Sequence, residues 1–490
     1  VSVTKLAGLG TCFMLLGTSA LHADVSAGEV WQAWLGQYRA AGYTVTSKSE
    51  TQSGDTLTIS ELALTQSADG ATFKLMVPEL TLREMGDGTV EARASQEMTA
   101  EANVTAPDEP PTEMDIKIRQ ADAVAIISGT PENLAYQLTA PEIVVEAEQV
   151  AGEGSAQPVK ISLAATGLSG AYSVVQEAGQ KITSDMKLSG VKLIASGDDP
   201  QNGGSFALDA DIADVKMTAA AELPPGYKFD PNTAVPPAVD SVVTTGAAHL
   251  SLDAKDAEGP VTLKSASEST RIEAKVTAGE MHYLTAAQNS RIEMATPQLP
   301  AEVSAEIAAT SFEIGMPLAK ADVASPFVGK VALEGLTVSE GVWAMIDPGQ
   351  QLPRDPATLI VDLSGKMRPT MDLFSAAAEA QPMPPVEIEA LDINRVQLTL
   401  AGAELGGKGA LSFDNATGVP VPLGAIDLSL TGANGLMDKL TTMGFLPQDQ
   451  AMFAKMMLGL YAVPTGADAM SSKIEFKEGG QILANGQRIQ

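Results

Sequence analysis

Beyond residue 23, the side chains with most claim to chemistry are two histidines, one aspartate trio and one proline-flanked arginine. His249 and His282 sit in strand-like surroundings without a neighbouring metal-ligand pattern, so each reads as a solvated or hydrogen-bonded structural residue. Asp209, Asp211 and Asp214 fall on one strand-like run, where Asp209 and Asp211 share a face that a hard cation would accept. No glycine-centred loop wraps them as a calcium site requires, and a solvated face is the simpler reading. Arg354 stands between Leu-Pro and Asp-Pro, whose stiff backbones hold its guanidinium in place. It is expected to lock its loop by pairing with Asp347, Asp355 or Asp362; the alternative is recognition of a partner's anion. Trp343, Asp347, Arg354 and Asp355 therefore form the candidate partner-contact loop. Gly167-Leu-Ser-Gly170 lacks the spacing of a nucleophile elbow, and neither a Walker loop nor a dinucleotide fingerprint occurs in a strand-turn-helix setting. A glycan-acting enzyme would need two carboxylates facing each other across a cleft, which spacing along the chain does not disclose. No catalytic, cofactor or metal-ligating residue is assigned, and a non-enzymatic protein is expected.

The elements that must position these residues are strands. Val331-Ala-Leu333-Glu-Gly-Leu336-Thr-Val338 alternates apolar with small or polar residues, skips a beat at Glu334-Gly335 and resumes. Period two means a half-buried strand, and one extra residue means a bulge. Ala357 to Gly365 alternates again, placing Leu359, Val361 and Leu363 on one side. Between them, three prolines and a glycine in Trp343 to Pro356 are expected to forbid both helix and central strand. The skipped beat recurs between Ile59 and Leu62, in Met186 to Leu193 and in Leu391 to Leu398.

Hydrophobic residues make up 44% of the 490 and aromatics 4%, so a core can form but must be filled by aliphatic side chains. A formal charge of −30 repels phosphate backbones and excludes electrostatically driven nucleic-acid binding. Residues 1–23 read as a secretory leader: Lys5, an apolar run from Leu6 to Leu16, then small residues with cleavage expected after Ala20 or Ala23. Cys12 is the only cysteine and lies within that leader, leaving no disulfide, thiolate nucleophile or thiolate metal site beyond it. No later stretch approaches about twenty uninterrupted apolar residues, so an exported, periplasmic protein without a transmembrane segment after leader cleavage is expected.

Along the chain, Ser26-Ala-Gly-Glu29 has capping-box spacing and opens a helix ending near Gly42, with Val30, Trp34, Tyr38 and Ala41 on one face. From Tyr43 onward, turn residues at short intervals separate alternating runs, the pattern of sequential hairpins. Leu75-Met-Val-Pro-Glu-Leu-Thr-Leu82 is echoed by Leu138-Thr-Ala-Pro-Glu-Ile-Val-Val145, and proline places both runs at sheet edges or bulges. Five prolines between Leu223 and Pro237 mark an extended connection. The expected division is a leader at 1–23, a β-rich region at 24–222, a linker at 223–240, a middle β region at 241–385 and a C-terminal β region with a helical insertion at 386–490. Short helices are expected at Thr370 to Ala380, Asn434 to Met443 and Pro447 to Tyr461, the last presenting Met452, Met456 and Leu460 as an apolar cap on the sheet; the alternative for the methionines is a plastic surface for cargo.

Trp343 through Pro356, Asp362-Leu-Ser-Gly365, Gly444-Phe-Leu-Pro-Gln-Asp-Gln-Ala-Met452 and Leu483-Ala-Asn-Gly-Gln487 resemble, in order and spacing, the signatures of the bacterial family called domain of unknown function 2125. The leader and the Val30-Trp-Gln-Ala-Trp34 helix fit the same family. More loosely, strand-rich repetition ending in an Asn-Gly turn is similar to large periplasmic AsmA-like proteins, whose curved sheets form apolar troughs. The first resemblance implies an exported compartment and a shared fold, and carries no functional residues. The expectation is a mainly β protein of large antiparallel, curved sheets built from sequential hairpins, with a trough for a lipid or other amphiphile. The alternative is a structural or protein-interaction module with a closed core that contacts an envelope protein.

Overall fold

The computed structural model describes residues 24–68, 70–105, 112–150, 159–176, 178–199, 203–225, 238–299, 301–416 and 419–489. The expected leader with Cys12, Ala20 and Ala23, the expected polar loop 106–111 and most of the proline-rich stretch, 226–237, lie outside the described residues. The fold is mainly β, a sheet of antiparallel strands joined largely as sequential hairpins, and the chain divides into two compact units that meet in sequence between Lys264 and Ser265.

The first unit begins with α1 (Ala27–Ala40), whose capping box forms as the spacing predicts: Glu29 N–H donates to Ser26 Oγ (3.3 Å) and Ser26 N–H donates to Glu29 Oε2 (2.9 Å). There follow β1 (Thr44–Thr46), β2 (Ser49–Ser53), β3 (Thr56–Ala68), β4 (Ala71–Glu84), β5 (Val90–Ala94), β6 (Glu97–Val104) and β7 (Thr112–Ala121). The unit continues with β8 (Val124–Thr130), β9 (Asn133–Val150), β10 (Lys160–Gln176), β11 (Gln180–Asp199), β12 (Gly204–Leu223), β13 (Ala238–Thr245) and β14 (Ala248–Asp256). These make a meander in which β5 and β6 both pair with β4, β7 and β8 both pair with β9, and β13 and β14 both pair with β12. Each such pair is one long strand broken in the middle.

The breaks line up across the sheet. Glu61, at φ +46°, falls opposite Pro78; Pro141 falls opposite Gly167, at φ +62°; Ser189 falls opposite Asp214, at φ +51°. The join of β7 to β8 has Asp122 at φ +52°. A left-handed residue turns the pleat so that alternation skips a beat, which is why Ile59 and Leu62 are both buried despite being three apart. The two echoed Pro-Glu runs thus meet this line in interior strands; they are irregularities and not edges.

Alternation makes the two faces chemically opposite. One row of cross-strand neighbours reads Leu64, Leu75, Ala100, Ile116, Ala147, Ile161, Ala195, Leu208 and Leu252, with no polar member. The adjacent row, on the other face, reads Thr65, Lys74, Glu101, Asp115, Glu148, Lys160, Ser196, Ala207 and Asp253. α1 packs on the apolar face at its N-terminal end, where Val30, Trp31 and Leu35 join Ile59, Leu82, Val90, Ile127, Tyr136 and Tyr172 in the main buried cluster.

β15 (Gly259–Ser267) spans the boundary between units. The second unit contains β16 (Ser269–Val276), β17 (Glu280–Ala295), β18 (Val303–Pro317), β19 (Ser325–Val338), α2 (Glu340–Ile346), β20 (Ala357–Pro369) and α3 (Ala376–Glu379). Then come β21 (Val386–Leu400), β22 (Ala403–Asp414), β23 (Val421–Thr431), α4 (Ala433–Thr442), α5 (Gln448–Tyr461), β24 (Val463–Gly466), β25 (Ala469–Phe476), β26 (Ile482–Ala484) and β27 (Gln487–Arg488). β16 to β23 pair strictly in chain order, and β25 adds beside β23. The bulge expected at Glu334-Gly335 is present: register shifts between Leu333 and Leu336, and Gly335 adopts φ +69°, where an added Cβ would lie 2.9 Å from Ala308 Cβ.

Two expectations are corrected here. The segment after Ser339 is helical through Ile346, because all three prolines of that stretch lie beyond it; Pro348 only forces Asp347 out of the helix, to φ −133° and ψ 67°. The helix expected from Thr370 shrinks to Ala376–Glu379, since Leu373 N–H donates to Leu318 O (3.0 Å) and Asp372 accepts from Lys320 N–H (2.8 Å). Those bonds hold residues 372–373 to a neighbouring segment and away from a helical turn.

Candidate functional site

The second unit repeats the two-faced sheet, but its apolar face is far less covered. One row runs Leu333, Leu359, Leu398, Leu405, Leu430 and Met470; the next runs Ile272, Thr285, Phe312, Val331, Val361, Val396, Gly407, Leu428 and Ser472. A third row includes Tyr283, Ile314, Leu363, Ile393, Ile426 and Ile474. Leu359, Val361 and Leu363 share this face, as their alternation predicts. Ile272, Phe312, Val331, Leu359 and Leu398 are 37–45% exposed, a contiguous apolar patch that water meets directly.

At one end α5 crosses this face without filling the space beneath it. Ala454, Met457, Leu458 and Tyr461 of the helix face Leu405, Leu428, Leu430, Met470 and Ile474 of the sheet around a cavity of about 650 Å³. That volume lies within the roughly 300–1,000 Å³ range of small-molecule sites, and the lining offers an occupant almost nothing but hydrocarbon. Met452, Met456 and Leu460 are not the cap expected of them. They lie on the opposite side of α5 and are 59–65% exposed. From Ala451 to Tyr461 the helix carries apolar residues on both sides, with Lys455 its one charged side chain there, so periodicity alone could not say which side faces the sheet.

The helical pair is held at several points. Gly432, at φ +71°, precedes α4, and an added Cβ there would lie 2.1 Å from Gly402 O. Asp468 caps that helix from across the unit: its carboxylate accepts from Asn434 N–H (3.1 Å), Gly435 N–H (3.0 Å) and Asn434 Nδ2 (2.9 Å). Lys455 Nζ pairs with Asp438 Oδ1 (2.6 Å) between α5 and α4, and Tyr461 O accepts from Ser472 Oγ (2.6 Å) and Asn485 Nδ2 (3.0 Å). The Asn485-Gly486 turn, both residues at positive φ, supplies that last donor.

The N–H groups of Gly435 and Asn434 hold the Asp468 carboxyl below the usual carboxylate range, so its stabilising effect is complete above about pH 4 and fades as pH falls through the depressed value. Asp468→Ala is expected to cost about 0.5–2 kcal/mol at neutral pH, as other lost caps do. In thermal melts across pH, the gap between wild type and variant should close below about pH 4. A gap that does not narrow at all as pH falls below about 4 would mean that packing, and not the charged cap, is what was lost.

The Trp343 to Pro356 segment closes on itself. Asp347 is buried at 1% exposure and accepts from Leu352 N–H (2.7 Å) and Gln351 N–H (3.0 Å). Those two donors, helped by Arg354 and Lys439, hold its carboxyl below the ordinary range. Arg354 pairs with Glu340 and stacks over Trp343, 5.3 Å from the ring centroid. Its ion-pair partner is therefore Glu340, on α2, and not Asp347, Asp355 or Asp362; Asp362 instead accepts from Asn394 Nδ2 (2.8 Å) and Asp355 is exposed.

The remaining polar candidates stay apart. His282 meets Glu313 Oε1 at 3.0 Å, His249 lies opposite Asp211 in register, and Asp209 pairs with Lys192 at 3.1 Å. Gly167-Leu-Ser-Gly170 runs along β10 as strand. Among the described residues no group of three or more His, Cys, Asp or Glu side chains is placed to hold a metal ion. Nor is any described helix long and apolar enough to cross a membrane.

No curated protein matches this sequence. Among solved structures, the chain aligns with a crystal structure of the ferric citrate transporter FecA in the unliganded form, at 9% identity over 91% of this chain and 76% of that one. The TM-score is 0.16, too low for that likeness to bear on fold or function. A family profile described as an uncharacterized protein conserved in bacteria matches residues 241–485, the span that carries the open apolar face, α2, the self-closed loop and the helical pair. The chain belongs to that family, domain of unknown function 2125.

Proposed function

We propose that this is a non-catalytic protein of the bacterial envelope, periplasmic after export, that holds a lipid-like or other apolar molecule against the apolar face of its second unit. The observation that carries the reading is the roofed cavity between α5 and β22, β23 and β25, continuous in chemistry with the exposed rows on β16 to β21. Aliphatic side chains on every second residue, with few aromatics and almost no polar group among them, suit an acyl chain better than a sugar or a nucleotide. The leader-like pattern of residues 1–23 supports export.

Mass spectrometry of the gently purified protein, together with titration of a fluorescent fatty acid, tests this. A co-purifying amphiphile and saturable uptake are expected. A protein that emerges free of amphiphile and takes up no probe would remove the reading.

A further inference from the structure

We propose that α5 docks the protein on a phospholipid bilayer surface through the side it turns away from the sheet. The inference rests on the reading of the cavity as a lipid site, because the same helix roofs it. Met452, Phe453, Met456 and Leu460 are 59–65% exposed on that outer side, and Phe445, in the turn before the helix, is 60% exposed. Beyond its polar first turn, Gln448 to Gln450, whose exposed Asp449 lies at the N-terminal edge of that outer side, α5 carries apolar side chains on both sides, as a core or membrane helix does, yet it buries only one of them within its own unit. At 14 residues it is too short to span a bilayer. What is left is the interfacial position, with the apolar side sunk into the boundary between headgroups and acyl chains.

Charge separates this occupant from others. Residues 433–463 carry two acids, Asp438 and Asp449, and two bases, Lys439 and Lys455, so the helical pair is neutral within a chain of net charge −30. The rest of the protein is repelled by an anionic surface; this segment is not. Methionine and phenylalanine side chains are also suited to the disordered edge of an acyl layer, since a flexible thioether adapts to an irregular surface. Docking there would set the cavity roof at the membrane, where an amphiphile enters or leaves without crossing water.

Flotation of the full chain with phosphatidylcholine vesicles, and with vesicles containing phosphatidylglycerol, tests the proposal on wild type and on the double variant Phe453→Ser, Met456→Ser. Wild type should float with phosphatidylcholine vesicles and less with those containing phosphatidylglycerol, which repel the rest of the chain, and the variant's binding to the former should fall about tenfold or more, with melting temperature and uptake of a fluorescent fatty acid unchanged. Met456→Leu should bind as wild type does. Failure of wild type to float, or equal flotation of the double variant, overturns the proposal. A wild-type dimer that the double variant dissolves, without vesicle binding by either, overturns it in favour of a second copy of this chain. Vesicle binding by a protein that takes up no fatty acid supports the docking while removing the cavity reading.

Discussion

Trp31→Ala should lower the stability of the first unit by about 3–5 kcal/mol, the usual cost of emptying a large aromatic site in a packed core. Trp31 is almost wholly buried, and its neighbours Ala27 and Val30 on the same helix are fully so. The helix is tied at its start, where Ala27 N–H donates to Glu84 Oε1 (3.0 Å), so it cannot slide inward to fill the void. Around it, Trp34 Nε1 donates to Tyr136 Oη (3.1 Å), and the Tyr136 and Tyr172 rings sit 5.9 Å apart. Burial pushes the Tyr136 hydroxyl up to about 12, a sign of how little water reaches this cluster. For a unit of this size the loss corresponds to a fall in melting temperature of roughly 6–20 °C, read by circular dichroism. Trp343→Ala, which removes only a half-exposed ring beneath Arg354, should cost about 1 kcal/mol or less. Equal costs at the two sites would show that α1 is an ornament on the sheet and not its plug.

Much of this arrangement was legible in the chain, and what was hidden has a definite physical cause. Strands announce themselves by period two, and the skipped beats at Ile59/Leu62, Leu333/Leu336 and Ile393/Val396 mark real irregularities, because a left-handed residue or an extra residue acts on its own strand. The capping box of α1 and the Asn485-Gly486 turn are similarly local. Alignment of the breaks at Glu61, Gly167 and Asp214 into one line is not local; it depends on how each strand is registered against the next. The Arg354 loop shows the same limit. Its stiffness is written in Pro353 and Pro356, but its partner Glu340 lies on a helix that runs into the stretch where prolines are expected to forbid one. In α5, Ala454, Met457 and Leu458 are no more apolar than Met452, Phe453 and Met456, so only the sheet beneath decides which set is covered.

Leu428→Glu should abolish uptake of a fluorescent fatty acid, by about tenfold at the least, while leaving the sheet folded. Leu428 lies on β23 in the middle of the cavity floor, opposite Gly407 on β22. Glycine there keeps the floor low: an added Cβ on Gly407 would come within 3.0 Å of Leu428 Cδ2. A carboxylate at 428 faces Met457, Leu458 and Tyr461, which supply no basic group to neutralise it. Either it stays charged and draws water into the cavity, or it takes up a proton and still presents an unsatisfied polar group to an acyl chain; each costs more than the 1.4 kcal/mol that corresponds to tenfold. The strand can absorb the change, because the site is a void and not packed core, so the circular dichroism spectrum should keep its strand character. Leu428→Met preserves volume and polarity and should hold uptake within about threefold of wild type. If Leu428→Glu takes up the probe like wild type, the occupant lies elsewhere on the apolar face, and parallel substitutions at Val331 and Leu359, on the open rows, would then be the ones to lose it.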